Sequence, residues 1–278
     1  MLKFDDRYIL VVEKMDHFDA MIKYLNSNML DDNYSRIILY ILRNMKNFKE
    51  NSITDMAELL FISESTITRF CKYFNFTSFK ELKKFVNYFS EQHQLSFLCM
   101  NLNDIKTLKT DTEVFFNDYA DSIIDSIRDV KTFLAVSELD DLVKKIQQYD
   151  RVVLFGFPEF NSPLSRLQAG LLLAGKFVEM GAIEQRQLEL AETLDERSLA
   201  IIISSFGGYL SDNFEITSKI ISSNCYSVLL TQHTENLITE RFGNTIKITS
   251  KNYLRNETYP MFLVVDYLIR KFTAETFK

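Results

Sequence analysis

The 278 residues are long enough for two domains, each with a core of its own, and a composition 46% hydrophobic and 25% charged is that of an ordinary soluble protein. No stretch approaches the about 18 consecutive apolar residues of a membrane span, and the N-terminal stretch, with Asp5 and Asp6 before the short apolar run Ile9–Val12, is expected to be neither a signal peptide nor a span. The net charge of −6 argues, taken whole, against nucleic acid. Cys71, Cys99 and Cys225 form no C-x-x-C pair, so no metal is expected and a reducing, cytoplasmic setting is.

The charge is unevenly placed. Between Ser35 and Val86 nine cations (Arg36, Arg43, Lys46, Lys49, Arg69, Lys72, Lys80, Lys83, Lys84) stand against five acids (Glu50, Asp55, Glu58, Glu64, Glu81). Nine minus five leaves that stretch at +4 and the rest of the chain, at −6 overall, carrying −10. A basic module on an acidic body suits local phosphate contact without general stickiness.

In chain order, apolar spacing predicts helices over Glu13–Asn26 and Ser35–Phe48. Ile53, Met56, Ala57 and Leu60 then share one face of a short helix, capped by Ser52 with Asp55 three residues on. Phe61 and Ile62 end it, and Ser63 caps the next helix. There Ile67, Phe70, Cys71 and Phe74 point inward and leave Ser65, Thr66, Arg69, Lys72 and Tyr73 outside. Asn75 is a natural left-handed cap. Two short helices with a tight turn, the second bearing hydroxyls, cations and an aromatic on its free face, read as a helix-turn-helix that donates to phosphates and base edges. A helix Phe79–Phe89 closes this part, and its Lys80, Lys83 and Lys84 are either a solvated face or a contact to the DNA backbone.

The segment ISESTITRFCKYFNFTSFKELK resembles the signature of RpiR-type bacterial transcription regulators, roughly VSEATVVRFCRKLGFSGFKEFK. Asn75 and Ser78 stand where that family has glycine. The resemblance implies binding to a double-stranded DNA operator, with Ser63, Ser65, Thr66, Thr68, Arg69, Lys72, Tyr73 and Lys80 as the contacting residues. It also implies control of carbohydrate-related genes.

Residues 1–90 are thus expected to be an all-α DNA-binding domain and residues 91–110 a linker, where the apolar pattern weakens around Phe97, Leu98 and Met100. Residues 111–278 form the second domain. It opens with helices over Asp111–Phe133 and from a Ser137 cap to Gln148. Arg151–Phe155, Leu199–Ile203 and Ser227–Leu230 are apolar runs of strand length, with weaker strands at Phe177–Met180 and Thr245–Thr249. Strands alternating with helices argue for a doubly wound, five-stranded parallel sheet, α/β overall. The last helix, Thr258–Phe272, is apolar almost all round and should be buried against the sheet or a second subunit.

This order resembles the sugar isomerase (SIS) domain that follows the helix-turn-helix in RpiR-type regulators, which implies a homodimer or tetramer and a sugar or sugar-phosphate effector. In an open parallel sheet the ligand sits beyond the carboxyl ends of the strands. The loops to inspect are therefore Gly156–Ser162, Ser204–Asp212 and Thr231–Glu235, with Ser162, Arg166, Ser204, Ser205, Gly207 and Thr231 as effector candidates. The favoured reading of the serines and threonine is as caps of the helices that begin there. The family's G-x-G-x-S loop is GFPEF here, and its S-x-S-G-x-T loop is SSFGGY, so Pro158, Phe160, Phe206 and Tyr209 replace donors. Simple sugar phosphates are expected to bind weakly or not at all.

Of the histidines, His17, His93 and His233, only His233 falls in a cleft loop. No nucleophile–base pair, metal cluster or Walker loop is visible, and no cofactor is expected. The alternative function is a phosphosugar isomerase with an accessory helical domain.

Overall fold

The computed structural model describes residues 17–18, 20–28, 31–90, 100–158, 162–232, 239–256 and 258–277. Ile9–Val12, His93, Phe97, Leu98, Cys99, Phe160, His233 and Glu235 lie outside the described residues. The chain divides into two compact units, Met1–Ile105 and Lys106–Lys278.

The first unit is helical. Residues 20–27 are followed by α1 (Asn33–Asn44), a 3-10 turn (Met45–Glu50), α2 (Ile53–Leu60), α3 (Glu64–Tyr73) and α4 (Phe79–Ser90). Their core gathers Ile37, Ile38 and Ile41 from α1, Met56 and Ala57 from α2, Ile67, Phe70 and Cys71 from α3, and Leu82, Phe85 and Val86 from α4. Each set repeats at three- and four-residue spacing, which puts one face of every helix inside. Burial pushes the Cys71 thiol up to about 11, as expected of a core residue.

α5 (Leu102–Thr110) straddles the division between the units. It occupies much of the segment expected to link the domains, started by Asn101, whose side chain accepts from the amides of Asn103 and Asp104.

The second unit continues with α6 (Thr112–Phe133), α7 (Val136–Gln148), β1 (Arg151–Phe155), α8 (Pro163–Leu173) and β2 (Glu179–Met180). After these come α9 (Glu184–Glu192), β3 (Ser198–Ile203), α10 (Gly208–Asp212), α11 (Phe214–Ser222), β4 (Tyr226–Thr231), β5 (Asn244–Lys247) and α12 (Thr258–Thr276). The strands form one parallel sheet in the order β2-β1-β3-β4-β5. Alternation along each strand feeds two cores. Val152, Leu154, Leu199, Ile201, Val228 and Leu230 face α7, α8 and α12. Val153, Phe155, Ala200, Ile202 and Leu229 face α9, α10 and α11. The sheet is covered on both sides, as the apolar runs imply.

One expectation needs correction. Ser137 does not cap α7, which starts at Val136 after Ala135 and has no side-chain cap. α12 buries Met261, Val264, Val265, Leu268 and Phe272, and leaves Tyr259 and Leu263 exposed in the single chain. Its inner face alone meets the sheet layer.

Candidate nucleic-acid interface and sheet-end site

The helix-turn-helix is built by caps at each junction. The Ser52 hydroxyl accepts from the Asp55 amide at 3.0 Å and the Asp55 carboxylate accepts from the Ser52 amide at 2.9 Å, a closed capping box. The two amide and hydroxyl contacts from Ser52 hold the Asp55 carboxyl below the usual carboxylate range. α2 ends on Phe61 in the left-handed region (φ 52°), with the Ile62 amide donating back to the Ala57 carbonyl at 3.0 Å. The Arg36 guanidinium donates to the Leu60 carbonyl and so ties α1 to this turn.

Ser63 starts α3 by accepting from the Thr66 amide at 3.2 Å. Asn75 ends it at φ 59°, with the Phe76 amide reaching the Cys71 carbonyl at 2.8 Å. The left-handed residue costs Asn little, which explains why it stands in place of glycine. Ser78 caps α4 by accepting from the Glu81 amide at 3.2 Å.

The free face of α3 presents most of the residues expected there. Ser63, Ser65, Thr68, Arg69, Lys72, Tyr73 and Lys80 are exposed and Thr66 is half-buried. The Ser63 hydroxyl shares hydrogen bonds with those of Ser65 (2.7 Å) and Thr66 (2.9 Å). Thr68 donates to the Glu64 carbonyl at 3.0 Å, and Arg69 Nε donates to the Ser65 carbonyl at 3.3 Å. These are local bonds on a solvated helix, which a duplex can replace with phosphate or base-edge contacts. Tyr73 is held edge-on against Tyr24 at 5.7 Å and close to Tyr34 at 5.3 Å, so its ring is fixed while 60% of it stays exposed. Two nearby residues were not among the expected contacts. Lys49 lines a cleft with the α4 lysines. Glu64 accepts from the Thr54 hydroxyl at 2.6 Å, joining the starts of α2 and α3.

In the second unit the strand order reverses direction between β1 and β3, the place where open α/β sheets hold ligands. Gly156 ends β1 there at φ 151°, and a Cβ on it would lie 2.8 Å from the Ile203 carbonyl oxygen, so glycine is required. Gln187, buried on α9, occupies this point. Its Nε2 donates to the Gly156 carbonyl at 3.1 Å, and its Oε1 accepts from the Gly156 amide at 3.4 Å and from the Tyr209 hydroxyl at 2.5 Å. Phe157 packs edge-on against Tyr209 at 5.4 Å. Burial raises the Tyr209 hydroxyl far above the usual phenol range, so it stays a neutral donor.

The effector candidates are spread around this end of the sheet. Ser162 caps α8, accepting from the Ser165 amide at 3.2 Å. Arg166 is exposed and its Nε pairs with Asp266 of α12 at 3.0 Å. Ser204 is buried and its amide donates to the Leu230 carbonyl at 3.1 Å. The Ser205 carbonyl accepts from the Gln232 amide at 2.8 Å and the Thr231 hydroxyl at 3.2 Å. Gly207 starts α10 at φ 81°. The structure therefore brings Ser204, Ser205 and Thr231 together, and ties Arg166 to α12. Among the described residues no group of three or more His, Cys, Asp or Glu side chains is placed to hold a metal, and no helix is long and apolar enough to cross a membrane.

A family model described as "Helix-turn-helix domain, rpiR family" matches residues 20–92. A curated protein of Providencia stuartii, described as an uncharacterized HTH-type transcriptional regulator in the aarA 3' region, is 21% identical over 199 residues, covering 71% of this chain and 68% of its own. Among solved structures, Vibrio vulnificus NanR complexed with ManNAc-6P is similar at 17% identity and a TM-score of 0.47, covering 92% of each chain. The sugar isomerase domain of an RpiR transcription factor from Sphaerobacter thermophilus is similar at 15% identity and a TM-score of 0.47, covering 57% of this chain and 89% of that one. Residues 20–92 are a helix-turn-helix domain of the rpiR family.

Proposed function

We propose that this regulator reads a duplex operator with α3, inserting Ser65, Thr66 and Arg69 toward base edges while Ser63, Thr68, Lys72, Tyr73 and Lys80 contact the backbone. The DNA-binding part is residues 1–90, and residues 111–278 assemble the protein into a dimer or a dimer of dimers. The observation that carries this is the composition of the exposed α3 face, polar and cationic on a helix whose other face is wholly apolar. Selection of bound fragments from the source genome identifies the operator. Wild type and the Arg69→Ala/Thr66→Ala pair are then titrated against it; unchanged affinity in the pair would sink the assignment.

The second unit acts as an assembly and sensing module and not as an enzyme. A phosphosugar site of the usual kind needs backbone amides converging on the ligand. Here the Gly156 amide is engaged by Gln187, and Pro158 has no amide proton to give. An uncharged effector, or none, fits this end of the sheet better than a sugar phosphate, because burying a dianion without donors costs several kcal/mol. An isomerase assay with hexose and pentose phosphates separates this from the enzymatic alternative, which requires turnover.

A further inference from the structure

Beside the start of α2 lies a cleft of about 460 Å³ whose lining holds Lys49, Lys80, Lys83 and Lys84 and no acidic residue. Lys80, Lys83, Lys84 and Asn87 lie at i, i+3, i+4 and i+7 of α4 and so form one stripe. Leu82, Phe85 and Val86 turn the opposite way into the core. Lys49 enters from the 3-10 turn. Like charges three and four apart on a helix repel, and four around one cleft hold an attraction for an anion.

Two of the nearby acids are otherwise engaged. Asp55 is closed into its capping box with Ser52, and Glu81 accepts from the Thr77 amide and hydroxyl, the latter at 2.6 Å. Lys83 Nζ donates to the Asn51 carbonyl at 2.8 Å and so is partly structural. Lys49, Lys80 and Lys84 are exposed, and Lys49 and Lys80 make no ion pair among the described residues. The Ser52 and Asp55 amides at the start of α2 are taken by the capping box, so the attraction rests on the lysines.

Position gives the anion its identity. Thr54, next to the lining residue Ile53, donates to Glu64 at the first turn of α3. The cleft and the start of α3 thus both adjoin the first turn of α2. The stripe from Lys80 to Asn87 runs about 10 Å along the helix, longer than one phosphate and suited to a succession of them.

We propose that this cleft seats backbone phosphates of the same duplex that α3 reads, a sequence-independent anchor that sets the recognition helix in register. The proposal rests on the DNA-binding function above, and its test keeps the two apart. Binding of the full chain to a random-sequence duplex is measured over a salt series. The wild type is compared with a Lys49→Gln/Lys80→Gln/Lys84→Gln triple and with the corresponding Lys→Arg triple. At about 0.9 in the slope of log K against log salt per phosphate contact, the Gln triple should lose up to about 2.7 and the Arg triple almost nothing. Preference among operator fragments should be the same in all three.

A Gln triple with an unchanged slope overturns the anchor and leaves reading by α3 intact. Inorganic phosphate, titrated separately, should not displace duplex at matched ionic strength. If it does so in the wild type and not in the Gln triple, the cleft serves a free anion and the proposal is wrong. A wild type that binds no duplex at low salt overturns the DNA-binding function itself, and the anchor with it.

Discussion

Three hydrogen bonds converge on the side-chain amide of Gln187, two from the Gly156 backbone and one from the Tyr209 hydroxyl. All of this polarity is buried, so the groups depend on one another: each left unpaired costs about 1–3 kcal/mol. Gln187→Ala should therefore lower the unfolding free energy by roughly 2–3 kcal/mol in urea denaturation. Tyr209→Phe, which leaves the Gly156 bonds in place, should lose about 1 kcal/mol. In thermal-shift titrations hexose and pentose phosphates should leave the wild-type midpoint unmoved, since a ligand that does not bind the native state cannot stabilise it. A clear upward shift would show that the sheet end takes phosphosugars despite Gln187. The loss of donors at Pro158 and Phe206 was legible in the sequence, but the Gln187 contacts were not. The run EQRQLELAE reads as a solvated helix, and only the sheet's geometry reveals that one of its glutamines points inward. The α3 surface was legible because its apolar positions Ile67, Phe70 and Cys71 fix which residues must face out.

At the scale of elements, the caps decide where helices begin, and carboxylates make several of them pH-dependent. Asp55 is held below its ordinary value of 3.8 by hydrogen bonds from Ser52. Glu81 is held below 4.5 by the hydroxyl and amide of Thr77. At Asp32, which caps α1, burial pushes the carboxyl up, but bonds from Ser35, Tyr24 and Tyr34 outweigh it and the net shift is downward. A carboxylate depressed by folding contributes stability that is whole above its unfolded-state value and lost as pH falls through the folded one. The helical unit should accordingly be at full stability above about pH 5 and weaken progressively below the ordinary carboxylate range. Hydrogen-exchange protection of the α2 amides reads this directly: it should drop between about pH 5 and pH 3 in the wild type and vary less in Asp55→Asn. Ser52→Ala should cost about 1 kcal/mol at neutral pH. Protection that does not change with acid would show that the box adds no stability. The same capping logic was available for α5, since Asn101 and Asp104 repeat the Ser52–Asp55 spacing and the Asn101 amide donates to Asp104 at 2.8 Å. Sparse apolar residues hid it. The strands of the sheet were legible as apolar runs, because a strand buried on both faces has no polar positions to interrupt it.

For the molecule as a whole, α3 has ten residues and covers one stretch of major groove, too little contact for an operator read at physiological salt. A second copy doubles the contact and matches two-fold operator symmetry. For the proposed assembly, α6 is the surface to test. It is 22 residues long, yet only Ser126 and Val130 are buried along it. Val114, Phe116, Ile124 and Phe133 are exposed, Phe116 by 68%. Exposed apolar residues scattered singly are ordinary; of these four, Phe116 and Ile124, about 80° apart around the helix, are the two a partner would cover together. The full chain should sediment as a dimer or a dimer of dimers at micromolar concentration. Phe116→Glu with Ile124→Glu should shift it toward monomer and weaken operator binding on the order of 100-fold, the gain that linking two binding modules supplies. Both readouts are needed, because a monomer that still bound its operator with undiminished affinity would mean that one helix-turn-helix suffices. A dimer untouched by the paired substitution would instead move the interface off α6, toward the exposed Tyr259 and Leu263 of α12.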